Sequence, residues 1–262
     1  GYTFSIYKTK SILHGLGQVR NRSFYFFWKG DKVPQFEYIK RQHEKIDETI
    51  RLVKRRSDDS MNVLTNKSTP SHNPFYRYVL EEMCGGISHK DFVEKKITRS
   101  QNAMDYIEWN GQNYKNVSKW METQGFDKLA ERCRIIHDKL AKGGNIMRKL
   151  VHFPKETIGA FVGHLPNNLT HPDEDRFLTI RECMSIMKLP EDFTLQGGLK
   201  NLNHICQNVP VTTAEDMAEH VKKFVDGRLD NQMLDTNFLI QDNTNKRLNF
   251  EKNSVHLDAF MV

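Results

Sequence analysis

The 262-residue sequence lacks the features that mark membrane, secreted and metal-binding proteins. It has no run of about 18 apolar residues, so no membrane-spanning helix is expected, and it shows no signal-peptide pattern. Its four cysteines, Cys84, Cys133, Cys183 and Cys206, lie far apart, and no Cys or His residues have zinc-site spacing. We therefore predict neither disulfides nor a bound metal. We also predict a reducing compartment, either the cytoplasm close to the nucleoid or the nucleus, rather than secretion.

The sequence is rich in aromatic side chains and carries a surplus of positive charge. Lys and Arg number 39 against 33 Asp and Glu, which gives a net charge of +6 and a pI near 9.0. Hydrophobic residues make up 38% of the chain, and 16 residues are Phe. This content suffices for a core and argues against disorder. The basic surplus favours a polyanionic partner.

Three regions of different composition divide the chain, namely residues 1–34, 35–171 and 172–262. Alternating apolar residues in the first region predict two strands, at about 2–7 and 22–28, joined by a turn that contains glycine. The second region has a polar, aromatic-bearing texture that predicts an α+β domain. The third region predicts short helices and a tail with one or two strands.

Helical spacing of apolar residues predicts two helices in the second region. The first spans residues 38–56, carries seven Lys or Arg against three acids, and has a face formed by Ile39, Ile46, Ile50 and Val53. The second spans residues 126–140 and ends at a Lys-Gly-Gly sequence. Between them, residues 57–74 form a polar loop.

Two capping boxes predict helix starts in the third region. Thr179 with Glu182 starts one helix, which must stop before Pro190. Thr212 with Glu215 starts another, whose expected apolar face consists of Met217, Ala218, Val221, Phe224 and Val225. The segments NFLIQ and RLNF are the candidate strands of the tail.

Three separated segments resemble, in the same order, segments of DNA cytosine-5 methyltransferases. HGLGQVRNRSFYF (14–26) resembles the Gln-x-Arg-x-Arg segment, and RFLTIRECMSIMKLPEDF (176–193) resembles the Arg-x-Leu-Thr-x-Arg-Glu segment. ICQNVPVTTAEDMAEHV (205–221) resembles the Gly-Asn-x-Val-Pro segment with the helix behind it. Gly1-Tyr2 also resembles the Gly-Tyr that opens the strand before the first segment.

The resemblance, which covers about residues 1–30 and 171–225, implies an α/β fold. This fold is the C-terminal part of a Rossmann-like class I methyltransferase core with an inserted α+β target-recognition domain. By this resemblance, residues 1–34 are the last strands of the catalytic core and 35–171 the target-recognition domain. Residues 172–262 are the closing helices and the C-terminal tail.

The resemblance also implies a chemistry and site residues. In this family the target cytosine is flipped out of double-stranded DNA, a cysteine thiolate adds to carbon 6, and carbon 5 takes a methyl group from S-adenosylmethionine. Arg22 is then the candidate for the cytosine contact, and Arg20 and Gln18 support the pocket wall and the sugar-phosphate. Arginines two apart on a strand share one face. For Arg20, an internal salt bridge to an acid such as Glu182 is the alternative.

Further contacts with DNA and cofactor are expected in the two later regions. Thr179, Arg181 and Glu182 are expected to be structural, and Cys84 to be a structural or incidental thiol. Arg176 either reaches a phosphate or pairs with Asp173 or Asp175. The candidate DNA-binding residues are Lys54, Arg55, Arg56 and Arg176. The candidate cofactor contacts are Gln207, Asn208 and Val209, preceded by Cys206 where the family has glycine.

The sequence contains no Phe-x-Gly-x-Gly loop, no Pro-Cys nucleophile and no Glu-Asn-Val segment. We therefore expect the chain to be the C-terminal half of a cytosine-5 methyltransferase, with the N-terminal half as a separate subunit or a missing segment. That half would bind most of the S-adenosylmethionine, and an exposed edge strand at residues 2–7 would receive it. The alternative is a non-catalytic, sequence-specific DNA-binding protein. Residues 57–74 and 112–120 are the first candidates for contacts with the base edges.

Overall fold

A computed structural model describes residues 1–148, 151–163, 165–229 and 232–244. The strands are β1 (Tyr2–Lys10), β2 (Asn21–Lys29), β3 (Val33–Pro34), β4 (Gln101–Asn102), β5 (His152–Phe153), β6 (Met233–Leu234) and β7 (Phe238–Asp242). The α-helices are α1 (Ile46–Leu52), α2 (Pro74–Tyr78), α3 (His89–Lys95), α4 (Ala103–Trp109), α5 (Tyr114–Thr123), α6 (Asp127–Ala141), α7 (Ile180–Ile186), α8 (Leu202–Gln207) and α9 (Val211–Val225). A π-helical segment, Val79–Met83, continues α2.

The largest sheet has the strand order β2-β1-β7. β1 and β2 are antiparallel over their whole length, from the pair Tyr2–Lys29 to the pair Lys10–Asn21. β7 pairs with β1 in parallel. The predicted strands at 2–7, 22–28 and NFLIQ are thus confirmed, whereas RLNF lies outside the described residues. The expectation of an exposed edge at residues 2–7 is wrong, because β7 pairs with β1 and makes it the central strand.

Buried side chains form three hydrophobic clusters. The first cluster is built by α2 to α6 with β5, and its largest members include Tyr76, Phe92, Tyr114 and Phe153. The second surrounds α1, α7 and α8. The third lies between one face of the large sheet and α9, where the rings of Trp28 and Phe224 are 4.2 Å apart. The mixed α/β composition is consistent with a methyltransferase-like fold.

The predicted helix over 38–56 is confirmed only over Ile46–Leu52, since α1 begins and ends there. Backbone N–H groups of the residues before α1 donate hydrogen bonds to carbonyls of the N-terminal turn instead of to carbonyls of a helix. The Arg41 N–H donates to the Leu13 carbonyl at 2.9 Å, and the Glu44 N–H donates to the Gly15 carbonyl at 3.2 Å. These tertiary bonds hold the segment extended and override its helical spacing.

One of the two predicted capping boxes is confirmed. The Glu182 N–H donates to Thr179 Oγ1 at 3.2 Å, and the Thr179 N–H donates to Glu182 Oε2 at 2.7 Å. The second box is wrong, because α9 begins at Val211 and has Pro210 at its N-cap, so Thr212 is already helical. Proline suits such a start, since its fixed φ is compatible with helix entry.

The exposed and buried faces of α9 also differ from the prediction. Met217 is buried as predicted and Phe224 packs on the third cluster, but Ala218, Val221 and Val225 are exposed. The helix also buries Thr213, Asp216 and His220, and Asp216 bonds to a buried histidine of the N-terminal turn. The predicted helix over 126–140 is confirmed as α6.

Candidate functional site

The Gln-x-Arg-x-Arg segment follows a tight turn between β1 and β2. Gly15 has a φ of +87°, a conformation that favours glycine. At Gly17, a Cβ atom would lie 2.5 Å from the Glu44 carbonyl oxygen and 2.7 Å from Ile46 Cγ1. The turn therefore packs against the start of α1 so closely that no side chain fits at position 17.

Gln18 is fully buried and uses both ends of its amide. Its Nε2 donates to the Met187 sulfur at 3.2 Å, and its Oε1 accepts from the Phe161 N–H at 3.1 Å. A β-bridge to Ile158 holds its backbone. Gln18 therefore ties the turn to α7 and to the segment that returns from the middle region.

Arg20 is a buried cation, with 4% of its surface exposed. Its Nη1 donates to the Phe161 carbonyl at 2.7 Å, while its Nε is buried without a hydrogen-bond partner in the described residues. The salt bridge to Glu182 considered as an alternative does not form, because Glu182 bonds to Arg176 at 2.7 Å. A buried guanidinium with an unused donor and no described carboxylate partner is an unusual arrangement.

Arg22 is the second residue of β2 and is half-buried. Its Nη1 donates to the Asn21 carbonyl at 2.9 Å, and burial lowers the pKa of its guanidinium. Side chains two apart in extended chain project to the same side, so Arg22 follows Arg20 along one wall. Neither arginine forms an ion pair with a carboxylate of the described residues, and Arg22, the more accessible of the two, is suited to an external anion.

The basic residues after α1 lie on the surface. Lys54, Arg55 and Arg56 are all exposed. Arg55 contacts Glu174 at 3.5 Å and Arg56 contacts Asp58 at 2.7 Å. Exposed ion pairs of this kind contribute little to stability, so water or another anion can readily replace the carboxylate partner.

Arg176 is held differently from these residues. It forms a bidentate pair with Glu182, at 2.7 and 2.9 Å, and also bonds to Glu174 at 2.8 Å. Neither of the partners considered from sequence takes it, since Asp173 pairs with Arg51 and Asp175 accepts from the Ser71 N–H. A phosphate contact by Arg176 would require breaking the pair with a buried carboxylate.

Arg181 links α7 to the polar loop. Its Nε donates to Asp59 at 2.7 Å and its Nη2 donates to the same carboxylate at 3.0 Å. The pairing lowers the pKa of the Asp59 carboxyl. The arginine and the capping box of α7 therefore brace the loop over 57–74 against the third region.

The predicted cofactor contacts lie where α8 ends. Gln207, Asn208 and Val209 are exposed. Cys206 lies within the helix, and its φ is not in the left-handed region. A side chain in place of the family's glycine is therefore accommodated without backbone strain, and the turn remains accessible to a ligand.

The cysteine thiols do not have the environment of a nucleophile. Burial raises the pKa of Cys133 and of Cys206 to about 11, and that of Cys183 well above its ordinary value. Reactive cysteines instead have cationic neighbours that stabilise the thiolate. Cys84 is half-buried, with its sulfur 3.7 Å from the Tyr106 hydroxyl.

Two cavities lie at the segments that the sequence predicts to read bases. The smaller, of about 240 Å³, is lined in part by the loop over 57–74, through Asn66, Ser68, Thr69, His72 and Asn73. The larger, of about 650 Å³, lies between α2, the π-helical segment, α4 and α5. Its lining combines aromatic rings with amide side chains, and it includes Gln112, Asn116, Lys119 and Trp120.

A buried network that the sequence did not predict fixes the turn to α9. His14 Nδ1 is 2.7 Å from Asp216 Oδ2, and His14 Nε2 is 2.8 Å from the Thr9 hydroxyl. Arg41 pairs with the second oxygen of Asp216. Burial lowers the pKa of His14, which favours the neutral ring. Thr9, His14 and Asp216 are nearly inaccessible, so we assign them a positioning role.

Two kinds of site are not found in the described residues. None of their helices has the length and apolar character required to cross a membrane. Within the same residues, no three His, Cys, Asp or Glu side chains are grouped as metal ligands would be.

Comparison with known proteins gives a family match. The family model described as C-5 cytosine-specific DNA methylase matches residues 1–223. A protein of Methanocaldococcus jannaschii named as a type II methyltransferase is 41% identical over 54 residues, which are 20% of this chain and 17% of that protein. The pairwise alignment spans a small part of both proteins, whereas the family model spans most of this chain.

Proposed function

The chain belongs to the C-5 cytosine-specific DNA methylase family, whose members transfer a methyl group from S-adenosylmethionine, and from this we propose its role within the enzyme. It supplies DNA target recognition and one wall of the pocket for the flipped cytosine. The nucleophilic cysteine and most of the cofactor site belong to an N-terminal half, present as a separate subunit or as another segment of the same polypeptide.

The observation that carries this proposal is the uncompensated charge of Arg20 and Arg22. Arg20 is buried with an unused Nε, and burial lowers the pKa of Arg22. Removing a cation from water without a counter-ion is unfavourable, so such a pair is suited to receive an anion. A flipped nucleotide offers its phosphate, and the ring gains negative charge when a thiolate adds to it.

Arg22 and Arg20 have different tasks in this proposal. Arg22, which is partly accessible, contacts the cytosine. Arg20, which is anchored on the Phe161 carbonyl, holds the wall and faces the sugar-phosphate. Gln18 is fully buried and each end of its amide is already bonded within the protein, so it acts as a positioning residue that fixes the turn.

Target recognition is assigned to residues 35–171. The two cavities present amide and hydroxyl groups, which suit hydrogen bonding to base edges. Lys54, Arg55 and Arg56 would contact phosphates, since their exposed pairs are easily exchanged. We propose that Arg176 braces the recognition domain rather than contacting phosphate, because two carboxylates already hold it.

Gln207, Asn208 and Val209 fit an accessory role toward S-adenosylmethionine. They are exposed, and Cys206 leaves their backbone unstrained. When bound, the cofactor supplies the methyl group, while these residues would close one side of its site. This accommodation supports the enzyme over the alternative of a non-catalytic DNA-binding protein.

Methyl-transfer assays with labelled S-adenosylmethionine and double-stranded DNA test the proposal. The chain by itself should be inactive, because three of its thiols have raised pKa values and the sulfur of Cys84 contacts the Tyr106 hydroxyl. Addition of the N-terminal half should produce transfer that Arg22→Ala lowers by about 10²–10³-fold. Arg228→Ala, which removes an exposed arginine outside the proposed pocket, is the control and should retain activity. Robust transfer by the chain alone would overturn the division of labour.

A further inference from the structure

One face of the large sheet is apolar and exposed. We call it the outer face, and it consists of Tyr2, Phe4, Ile6, Tyr25, Phe27, Phe238 and Ile240. The exposed fraction is 74% for Tyr2, 62% for Tyr25 and 70% for Phe27. Contiguous apolar patches of this kind are uncommon on proteins that act alone, and they mark interaction sites.

The outer face is continuous across all three strands. Phe4 lies at its centre, because it pairs with Phe27 on β2 and with Phe238 on β7. Its ring centroid is 5.0 Å from that of Phe27, 5.3 Å from that of Phe238 and 6.3 Å from that of Tyr25, and all three pairs are stacked. These contacts hold the rings side by side, so the surface is already arranged for a partner.

The sheet topology indicates what kind of element covers this face. β1 and β7 are parallel, and parallel strands occur mainly in α/β sheets, where the crossover connections place helices on the faces of the sheet. The inner face already has its helix, since α9 packs there through Phe224 on Trp28. The equivalent layer over the outer face is not supplied by the described residues.

Charge distinguishes a foreign partner from a second copy of the chain. The strand register places Lys29 beside Tyr2 at one end of the outer face, and Lys8 and Lys10 at the other. Of these, Lys8 pairs with Asp242 at 3.5 Å. Two copies packed face to face would bring these lysines together in a chain that already carries a net charge of +6. A partner with acidic residues around an apolar helix face is complementary instead.

We propose that the outer face is the docking surface for helices of the N-terminal, nucleophile-bearing half of the methyltransferase. The identity of this partner rests on the function proposed above, whereas the surface itself rests on exposure and register. The second edge of β2 is also free of strand partners in the described residues, so the same half can extend the sheet there.

Hydroxyl-radical footprinting of the chain alone and of the complete enzyme, both without DNA, tests the surface directly. Tyr25 and Phe27 should become protected in the complete enzyme, while Trp109, which is 50% exposed in the middle region, stays unchanged. Equal modification of Tyr25 and Phe27 in both samples would overturn the proposal. So would protection of these residues in the isolated chain that disappears when residues 245–262 are removed, because the chain's own C-terminus would then be the occupant.

A matched pair of variants tests assembly. Phe27→Glu places a charge on the outer face, and Val225→Glu places one on an exposed valine of α9, on the other side of the sheet. Phe27→Glu should weaken association with the tagged N-terminal half by about 100-fold, because an unpaired carboxylate would be buried against apolar helices. Val225→Glu should not weaken it. Circular dichroism should show that both variants are folded.

The outcomes separate this proposal from the function. Assembly that is blocked by Phe27→Glu, in an enzyme without methyl transfer, would support the surface and refute the function. Methyl transfer by an enzyme whose assembly is unaffected by Phe27→Glu would support the function and refute the docking surface. A change of sedimentation in the isolated chain on Phe27→Glu, from dimer to monomer, would show that a second copy occupies the face and would overturn the proposal.

Discussion

Replacing Gly17 with alanine should destabilise the turn that carries the two arginines. The added Cβ would lie 2.5 Å from the carbonyl oxygen of Glu44, 2.7 Å from Ile46 Cγ1 and 3.0 Å from the carbonyl oxygen of Glu156. Two of these atoms belong to backbone on different segments, so neither can move away by a change of rotamer. Over-packing of this kind typically costs about 1–3 kcal/mol. We expect the upper end of that range here, because two segments must shift together.

Urea unfolding followed by circular dichroism measures this effect. With a slope of about 3 kcal/mol per molar urea, a loss of about 3 kcal/mol moves the midpoint by about 1 M. Gly159→Ala is the matched control, because a Cβ there meets nothing within 4 Å and its φ is not positive. That variant should unfold at the wild-type midpoint or slightly above it. If Gly17→Ala unfolded at the same urea midpoint as Gly159→Ala, the close packing of the turn would be refuted.

The other predictions concern charge and protonation. Burial lowers the pKa of His220 from 6.5 to about 4, so the unfolded chain binds this proton first. Stability should therefore be complete above pH 6.5 and fall as the pH drops toward 4, by up to about 3 kcal/mol. His220→Phe should flatten this profile in pH-dependent unfolding, and an unchanged profile would contradict it. Arg22→Ala should cost about 2.7–4 kcal/mol of transition-state stabilisation in the reconstituted enzyme, measured as kcat/KM, whereas wild-type turnover would make Arg22 structural. Replacing Lys54, Arg55 and Arg56 with alanine should weaken binding to all DNA sequences alike. It should also reduce the salt slope by about 0.9 per lost phosphate contact in titrations, and an unchanged slope would exclude these residues from the interface.

Local patterns in the sequence predicted the elements that local interactions determine. The alternation in β1 and β2, the box of Thr179 with Glu182, and the spacing along α6 each depend on neighbours in the chain. The helix over 38–56 was wrong where distant carbonyls bind its backbone. The box at Thr212 was wrong because Pro210 already starts the helix. The sheet order could not be predicted, since β7 reaches β1 from the far end of the described chain.

In the candidate site, too, the sequence predicted the local spacing of residues but not their distant partners. The spacing of Gln18, Arg20 and Arg22 pointed to a shared wall, but it could not show that Gln18 would be fully buried with its amide bonded to Met187 and Phe161. Nor could it identify the partners of Arg176, which are chosen by side-chain geometry among several nearby acids. The motif segments still indicated the family that the comparison with known proteins shows.

The pairing of β1 with β7 also determines when the protein can be completed during its synthesis. The contacts of the first cluster are made mostly within residues 75–153, so this part can fold while the ribosome is still translating the rest. β1 precedes this part of the chain, but Phe4 can pair with Phe238 only after β7 is made, and His14 can bond to Asp216, 202 positions later, only after α9 is made. Contacts this distant in sequence form slowly. The aromatic hairpin of β1 and β2 therefore stays without its C-terminal partners until α9 and β7 have been synthesised.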